Sequence, residues 1–548
     1  MPTITVKKSV FEKLVGRDLP LEQLKDRISY LGTDLEKIEG DDIIVEIFPD
    51  RPDMLSVQGF ARAFSSFIGI KTGFREYVVT KSKEKLIVDS SVKKVRPYTA
   101  CAIVKNLLFD DEKIKEVIQI QEKLHITYGR NRKKAAIGIY PCEKIKFPIR
   151  FTAKKPGDIK FQPLEFPHEI SATQIISKHP AGREYAHLLE GLEKYPVFID
   201  ASNEILSMPP IINSHKIGKI TEKTKDVFIE CSGFDFKILS ICLNIIVTAL
   251  ADMGGEIYSV ELVYPDKKRV TPDLTPMKMS LNLDGMNKWL GLDLKEFEVK
   301  KYLGRMGYEY VNSKVLVPAY RADVLHEVDL YDDVAKAYGY ENFKEEIPQL
   351  ATIAQENDLE KFKNKVAHLL VGFNLLEVSS YHLTNNEDML GKMNLRMETI
   401  ELENASEDYN ILRAWLIPNM LTILRENKRY DYPQKIFEIG TIFNKTGEGE
   451  TGIEESTRLC VMVAHSNAGY TEIKQILDSL LANLGIEYKI EETEHDSFII
   501  GRVGRVIVGQ KKVAFIGEIH PQCIVNFNLE VPVATFELNL TELLHLIK

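Results

Sequence analysis

Apolar positions along the chain switch between a spacing of three to four and a spacing of two, which reads as helices and strands mixed throughout. Leu21, Leu24, Ile28 and Leu31 fall on one helical face, and the β-branched run at 42–48 reads as a strand. Ser56 is placed to cap a helix whose apolar positions are Val57, Phe60, Ala61, Phe64 and Ile68. Ala-Ala-Ile-Gly-Ile-Tyr at 135–140 predicts a buried strand. The most apolar run, 238–251, is too short to span a bilayer, and Ser240, Asn244 and Thr248 draw a polar line along it at four-residue steps. It predicts a buried amphipathic helix. A strand at 278–282, short helices around 286–290 and 295–306, and a strand at 315–320 follow. Beyond them Val324, Val328, Tyr331 and Ala335 make another helical stripe. Near the end, Pro418 opens a helix lined by Met420, Leu421 and Leu424, and 433–443 reads as a strand.

Length and charge narrow this picture. A chain of 548 residues is too long for one core and predicts about three to five domains. Its hydrophobic share of 44% and charged share of 28% are those of a soluble globular protein. The net charge of −9 excludes a generally basic nucleic-acid binder, so RNA contact would rest on local patches or on a partner. The six cysteines have no metal-knuckle or redox spacing and read as free thiols in a reducing compartment. The N-terminal residues lack the apolar segment of a signal peptide, so a cytoplasmic protein is expected.

The densest chemistry lies at 321–340. Asp329, Asp332 and Asp333 stand at i, i+3 and i+4 of a helix, with Asp323 just upstream. Like charges at this spacing repel by a few tenths of a kcal/mol per exposed pair, roughly. Two readings stand: a solvated acidic face, or an all-oxygen site for magnesium.

With the runs Pro-Ala-Tyr-Arg-Ala-Asp at 318–323, Glu-Val-Asp-Leu-Tyr-Asp-Asp at 327–333 and Tyr-Gly-Tyr-Glu-Asn at 338–342, the chain resembles the β-subunit family of phenylalanyl-tRNA synthetases, in its shorter archaeal and eukaryotic form. Pro-Asp-Arg-Pro-Asp-Met-Leu-Ser at 49–56 resembles the family's N-terminal module. The resemblance implies an α/β (α+β) multidomain chain. Its parts would be an N-terminal α/β module at 1–84, an editing-type, tRNA-binding domain at 85–267, a winged-helix-like module carrying the metal acids at 268–346, and a non-catalytic, degenerate class II synthetase-like antiparallel sheet domain at 347–548. It further implies magnesium at Asp323, Asp329, Asp332 and Asp333, although the last two positions are often Glu in the family. ATP is then a substrate of a complex of two α and two β subunits that charges tRNA(Phe), with the aminoacylation site on α.

Two more segments carry candidate roles, the first from its residues and the second from this resemblance. Arg130, Arg132, Lys133 and Lys134 form the densest positive cluster, with His125 and Tyr128 interleaved; it reads as an RNA backbone contact, as a means of substrate steering, or as a solvated basic turn. Pro209-Pro210 and the polar residues after it resemble the editing module, which hydrolyses tyrosine mischarged onto the tRNA. A pocket for phenylalanine cannot strongly reject an isostere that adds a hydroxyl, so a second site must recognise the phenol with polar groups. Asn213, Ser214 and Asp235, with Leu206 as a wall, are the candidates, alongside the plainer reading of Asn213 and Ser214 as a turn. No Ser-His-Asp arrangement is evident, so hydrolysis would use positioned water.

The last 200 residues, roughly, lack the Gly-rich, arginine-bearing ending that a working class II site uses to hold ATP phosphates. Arg413, Arg425, Glu438, Glu518 and His520 therefore read as packing or interface groups. Two other readings stay open: a free-standing RNA-binding or editing protein, and a magnesium-dependent hydrolase centred on the four Asp residues.

Overall fold

The computed structural model describes residues 2–349 and 352–548; Met1 and residues 350–351, which fall within the expected first and last modules, lie outside the described residues. The chain divides into two units, Met1–Glu346 and Ile347–Lys548. Both mix helices with mainly antiparallel sheets.

The first unit begins with a three-stranded antiparallel sheet in the order Thr3–Lys7, Asp42–Ile47, Thr33–Glu39. Ile43, Val45 and Ile47 alternate inward, as the strand period requires. The capped helix Val57–Phe67 is nearly all buried, and Phe11 stacks on its Phe60 with ring centres 5.0 Å apart. Ser56 Oγ accepts the Gly59 N–H at 3.0 Å, as the sequence predicts. The edge strand Thr3–Lys7 is sealed by the Gln119 carboxamide, which accepts the Thr5 N–H at 3.1 Å and donates to the Thr5 carbonyl at 3.4 Å.

An eleven-stranded sheet carries the middle of this unit. Its strands Tyr98–Lys105, Val227–Gly233 and Ala135–Pro141 pair antiparallel over seven rungs each and are almost wholly buried. The helix Phe236–Asp252 runs out of Val227–Gly233 and packs back on it. Its predicted polar line is used internally. Thr248 Oγ1 donates to the Asn244 carbonyl, and Asn244 Nδ2 donates to the Asp273 and Ala319 carbonyls at 2.9 and 3.1 Å. Asn244 thus ties this helix to the segments entering and leaving the last part of the unit.

That last part holds a small sheet in the order Met277–Ser280, Lys314–Val317, Glu309–Val311, with helices Leu283–Leu290, Glu296–Arg305 and Glu327–Tyr338. The strand expected to reach 320 ends at Val317, because Pro318 supplies no N–H to a ladder. The acidic helix buries more than its predicted stripe: Leu330, Val334 and Ala337 are fully inside, whereas Val328 is only partly covered.

The second unit is a seven-stranded sheet in the order Leu376–Glu377, Gln434–Lys445, Ile453–Ala464, Val533–Asn539, Lys511–Ile519, Phe498–Val508, Lys489–Glu492. Only the first pair is parallel. Leu459, Val461 and Val463 face one core, under helices Asp358–Gly372, Tyr470–Leu484 and Leu540–Ile547. Cys460, Met462 and Ala464 face the other, with Ile417–Glu426 and Pro521–Asn526. A strand buried on both sides reads as a continuous apolar run, which explains its sequence. Pro418 sits in the first turn of Ile417–Glu426, as predicted.

A Cβ added at Gly59 would lie 1.9 Å from the Asp53 carbonyl oxygen. Gly59→Ala should therefore push the 49–53 turn off the helix and lower stability by about 2–3 kcal/mol, read as a lower denaturant midpoint for the first unit. An unchanged midpoint would show that this close approach is not needed.

Candidate functional site

The four acids of the 323–333 segment do not converge. Arg321 precedes them as the first half of an Arg-x-Asp fork: its Nε donates to Asp323 Oδ1 at 2.8 Å and its Nη2 to Asp323 Oδ2 at 2.6 Å. The same Nη2 reaches Asp333 Oδ2 at 2.7 Å, and the Tyr308 hydroxyl donates to that oxygen too. Burial alone would push the Asp323 carboxyl up, but Arg321 beside it and Arg51 behind it hold it down at about 2. Asp333 faces the interior because position 333 shares the buried side of the helix with Leu330, Val334 and Ala337. Asp329 caps the helix, its Oδ2 accepting the Leu325 and His326 N–H groups at 2.7 and 2.8 Å. Asp332 is exposed and meets the Tyr340 hydroxyl at 2.9 Å and Lys336 Nζ at 2.7 Å. Among the described residues no three His, Cys, Asp or Glu side chains gather as a metal would need. The expected four-carboxylate site is thus divided. Asp323 and Asp333 are committed to Arg321, and only Asp329 and Asp332 stand toward solvent.

The same fork occurs upstream. Arg51 Nε and Nη2 each donate to Asp53 at 2.9 Å, and both residues are buried. Asp53 is thereby closed in a buried ion pair.

The editing candidates come together in part. The strands Ile205–Met208 and Ile212–Asn213 form a hairpin in which Ser214 N donates to the Leu206 carbonyl at 2.8 Å. Leu206 is fully buried, Ser214 nearly so, and Asn213 half-buried. Asp235 stands apart. It is exposed and caps the helix Phe236–Asp252 by accepting the Lys237 N–H at 2.8 Å. Four residues separate it from Glu230 along the chain, and it lies beyond the end of the strand Val227–Gly233.

The basic cluster is also split. Arg130 and Lys133 are exposed and Lys134 is half-buried, but Arg132 turns inward. Its Nη1 donates to the Ile211 carbonyl at 2.9 Å and its Nη2 meets Glu122 at 3.2 Å, while the guanidinium lies 4.3 Å from the Tyr185 ring centre. Arg132 is therefore a brace between the basic turn and the hairpin rather than a free RNA contact. Residues 130–132 adopt positive φ, a strained conformation that the hydrogen bonds around this turn sustain. His125 completes the brace: its Nε2 accepts the Ile137 N–H at 2.8 Å and its Nδ1 meets Glu122 at 3.1 Å. Burial pushes the His125 pKa down, keeping it neutral.

Beneath the hairpin lies a polar cluster absent from the sequence-based expectations. The Tyr140 hydroxyl donates to Glu230 Oε1 at 3.0 Å and approaches Asn213 Oδ1 at 3.3 Å. Glu230 is 1% exposed, and burial pushes its carboxyl up to about 8 against Tyr140, Arg96 and Ser232. Its Oε2, Ser207 Oγ and His215 Nδ1 have no hydrogen-bond partner in the chain. Gly138 faces Glu230 across the sheet, and a Cβ there would strike the Tyr140 hydroxyl at 2.1 Å. One signal could have found this cluster: Glu230 is a carboxylate inside the apolar strand Val-Phe-Ile-Glu-Cys-Ser-Gly at 227–233.

In the second unit, Arg413 is 1% exposed and spends its donors on Glu438 at 2.7 Å, the Thr441 carbonyl at 2.7 Å and Ser380 Oγ at 2.8 Å. Glu518 accepts the Tyr470 N–H and an Arg502 donor, and His520 caps Pro521–Asn526. Arg425 lies on the surface beside Glu426 and Asp388. These groups act as packing and capping groups.

Two family models match the chain: "tRNA synthetase B5 domain" at residues 279–340 and "Phenylalanyl tRNA synthetase beta chain CLM domain" at 344–540. Together with the mixed α/β units they define a subunit of an aminoacyl-tRNA synthetase. The phenylalanine–tRNA ligase beta subunit of Pyrococcus abyssi is 42% identical over 99% of this chain and 100% of its own length. That of Archaeoglobus fulgidus is 36% identical over 99% and 98%. A crystal structure of an N-terminal fragment of the Pyrococcus horikoshii phenylalanyl-tRNA synthetase beta subunit superposes with a TM-score of 0.60 at 40% identity, covering 62% of this chain and all of the fragment. The chain belongs to the phenylalanine–tRNA ligase beta-subunit family.

Two outcomes follow from the buried charges. Arg321→Met leaves Asp323 and Asp333 unpaired in the interior and should cost about 3–5 kcal/mol, seen as a lower unfolding midpoint; a loss under about 1 kcal/mol would mean that the fork is dispensable. Glu230, raised to about 8 by burial, binds its proton in the fold where the unfolded chain, at 4.5, has released it. Its stabilising contribution is complete below the unfolded value and is lost as pH climbs to the folded one, by up to about 1.4 kcal/mol per pH unit. Glu230→Gln, neutral throughout, should flatten that slope in midpoints measured across the range. Parallel pH profiles for the two proteins would contradict the protonated carboxyl.

Proposed function

We propose that this chain is the β subunit of a phenylalanine–tRNA ligase that works with an α subunit to join L-phenylalanine to tRNA(Phe) at the expense of ATP. The observation that carries the reading is end-to-end identity of about 40% to proteins bearing that name. The sheet of the second unit supports a division of labour. Its buried Arg413 is locked to Glu438 and so is not free for ATP phosphates, and the aminoacylation site belongs on α. The working form is a heterotetramer of two α and two β chains in the cytoplasm. Among the described residues no helix is long and apolar enough to cross a membrane.

Magnesium accompanies ATP in this reaction, where it neutralises phosphate charge. This chain's four acids do not fit a single four-carboxylate cradle, since Arg321 holds two of them. Asp329 and Asp332 are the carboxylates that could meet a cation near the partner. Arg130, Lys133 and Lys134 contact the tRNA backbone in this reading, with Arg132 holding their turn in place.

The hairpin at 205–214 is the editing element, through which mischarged Tyr-tRNA(Phe) is hydrolysed. Asn213 stands half-exposed above the Tyr140–Glu230 pair and offers its amide to the entering aminoacyl group. Its neighbours Ser214 and Leu206 shape the floor.

Co-expression with an α subunit tests the whole. The complex should charge tRNA(Phe) while neither chain does so alone; charging by the isolated chain would refute the assignment. Within the complex, Asn213→Ala should slow hydrolysis of Tyr-tRNA(Phe) by about 10- to 100-fold, the loss expected for one hydrogen bond to the reacting ester end. Full deacylation by this variant would remove Asn213 from the editing site.

A further inference from the structure

One face of the second unit's sheet carries more positive charge than it pairs. The strand register sets Glu438, Cys460, Glu537, Phe515 and Arg505 opposite one another across five strands, so their side chains share that face. Arg458, two positions from Cys460 on the same strand, joins them. With Arg413, which is paired to Glu438, the face holds three arginines against two glutamates.

Arg458 and Arg505 are left over. Among the described residues neither forms an ion pair, and the Nε of each is buried without a hydrogen-bond partner. Arg505 reaches the Lys512 carbonyl at 3.3 Å, and its guanidinium lies 3.9 Å from the Phe515 ring centre. The two guanidiniums lie close enough to repel, and no carboxylate offsets that repulsion at Arg505. Glu537 stands between their strands but is already engaged. Its Oε2 accepts the Leu416 and Ile417 N–H groups at 2.8 and 3.1 Å. Burial pushes its carboxyl up, against the pull of Arg458 and Arg413. His495 closes the aromatic side, its ring centre 4.8 Å from that of Phe515 and 5.7 Å from that of Trp415. Burial pushes the His495 pKa down against the exposed Asp496, so the imidazole adds no further charge.

We infer that Arg458 and Arg505 together hold one inorganic phosphate ion on this face of the sheet. Arginine cannot shed its proton to relieve the repulsion. Water would fill the empty Nε positions but leave two like charges side by side. A phosphate carries more than one negative charge at neutral pH and offers oxygens to both guanidinium forks, so it meets both needs. A halide supplies a single charge and no such fork. The unit lacks the Gly-rich ending that holds a nucleotide, which favours a free ion.

Titration calorimetry of the full chain with sodium phosphate, at fixed ionic strength, tests the site. Sulfate should compete with phosphate, whereas chloride should not. Arg505→Met should weaken binding by about 10- to 100-fold, the worth of one hydrogen bond between charged groups. Should that variant unfold, Arg505→Gln, which keeps a polar head, takes its place. Crystals grown in phosphate should show tetrahedral density between the two guanidiniums, and its absence overturns the inference. Density without binding in solution marks an adventitious ion only and overturns it too. So does equal competition by chloride. A folded variant that binds phosphate as tightly as the wild type would place the ion on another basic surface and refute the site. None of these failures touches the ligase assignment, which rests on sequence identity.

Discussion

The pairing of buried arginines with aspartates constrains the first unit more than any other interaction. Two forks of identical design, Arg51 with Asp53 and Arg321 with Asp323, sit 270 positions apart in sequence, yet their arginines line one cavity. Loss of a partner from either pair would leave a lone charge in an interior with no solvent to fall back on. Arg321 fixes where the acidic helix begins by joining Asp323, before it, to Asp333 within it. Arg321 also decides which of the four acids remain available: by holding Asp323 and Asp333 it leaves Asp329 and Asp332 as the only ones turned outward.

A second device of the same kind shapes the hairpin at 205–214. Arg132 looks in sequence like one of four equivalent surface cations. In the fold it is a clamp whose hydrogen bonds to the 210–211 carbonyls and to Glu122 set the hairpin against the basic turn. The clamp sets the hairpin that carries Asn213, over Tyr140 and Glu230, against the turn that carries Arg130 and Lys133, so the two share one support. Buried polar groups of this sort are costly unless satisfied, which makes the partnerless oxygen of Glu230 the most consequential atom beneath the hairpin.

The second unit shows the opposite economy. Both faces of its central strand are packed with apolar side chains, and its one deeply buried arginine is neutralised by Glu438. A sheet closed in this way serves as a scaffold. That matches a family in which the chain is one subunit of a ligase and supports placing nucleotide chemistry on the partner.

The sequence by itself determined the local elements. Helix and strand periods placed Leu21–Tyr30, Val57–Phe67, Phe236–Asp252 and Gln434–Lys445, because amphipathic spacing, the Ser56 cap and β-branched runs are read from neighbouring residues alone. Motif identity along 318–342 was enough to suggest the family. What only the tertiary structure decided was the partner of each charge. Asp333 and Asp332 are adjacent in sequence, yet one is buried against Arg321 and the other is exposed; Asp235 and Asn213, grouped by resemblance, lie on different elements; Arg132 faces inward while Arg130 faces out. The physical reason is that a titratable side chain takes its role from whatever lies across the fold, and the arginine that claims Asp53 or Asp333 exerts a force that no local period records.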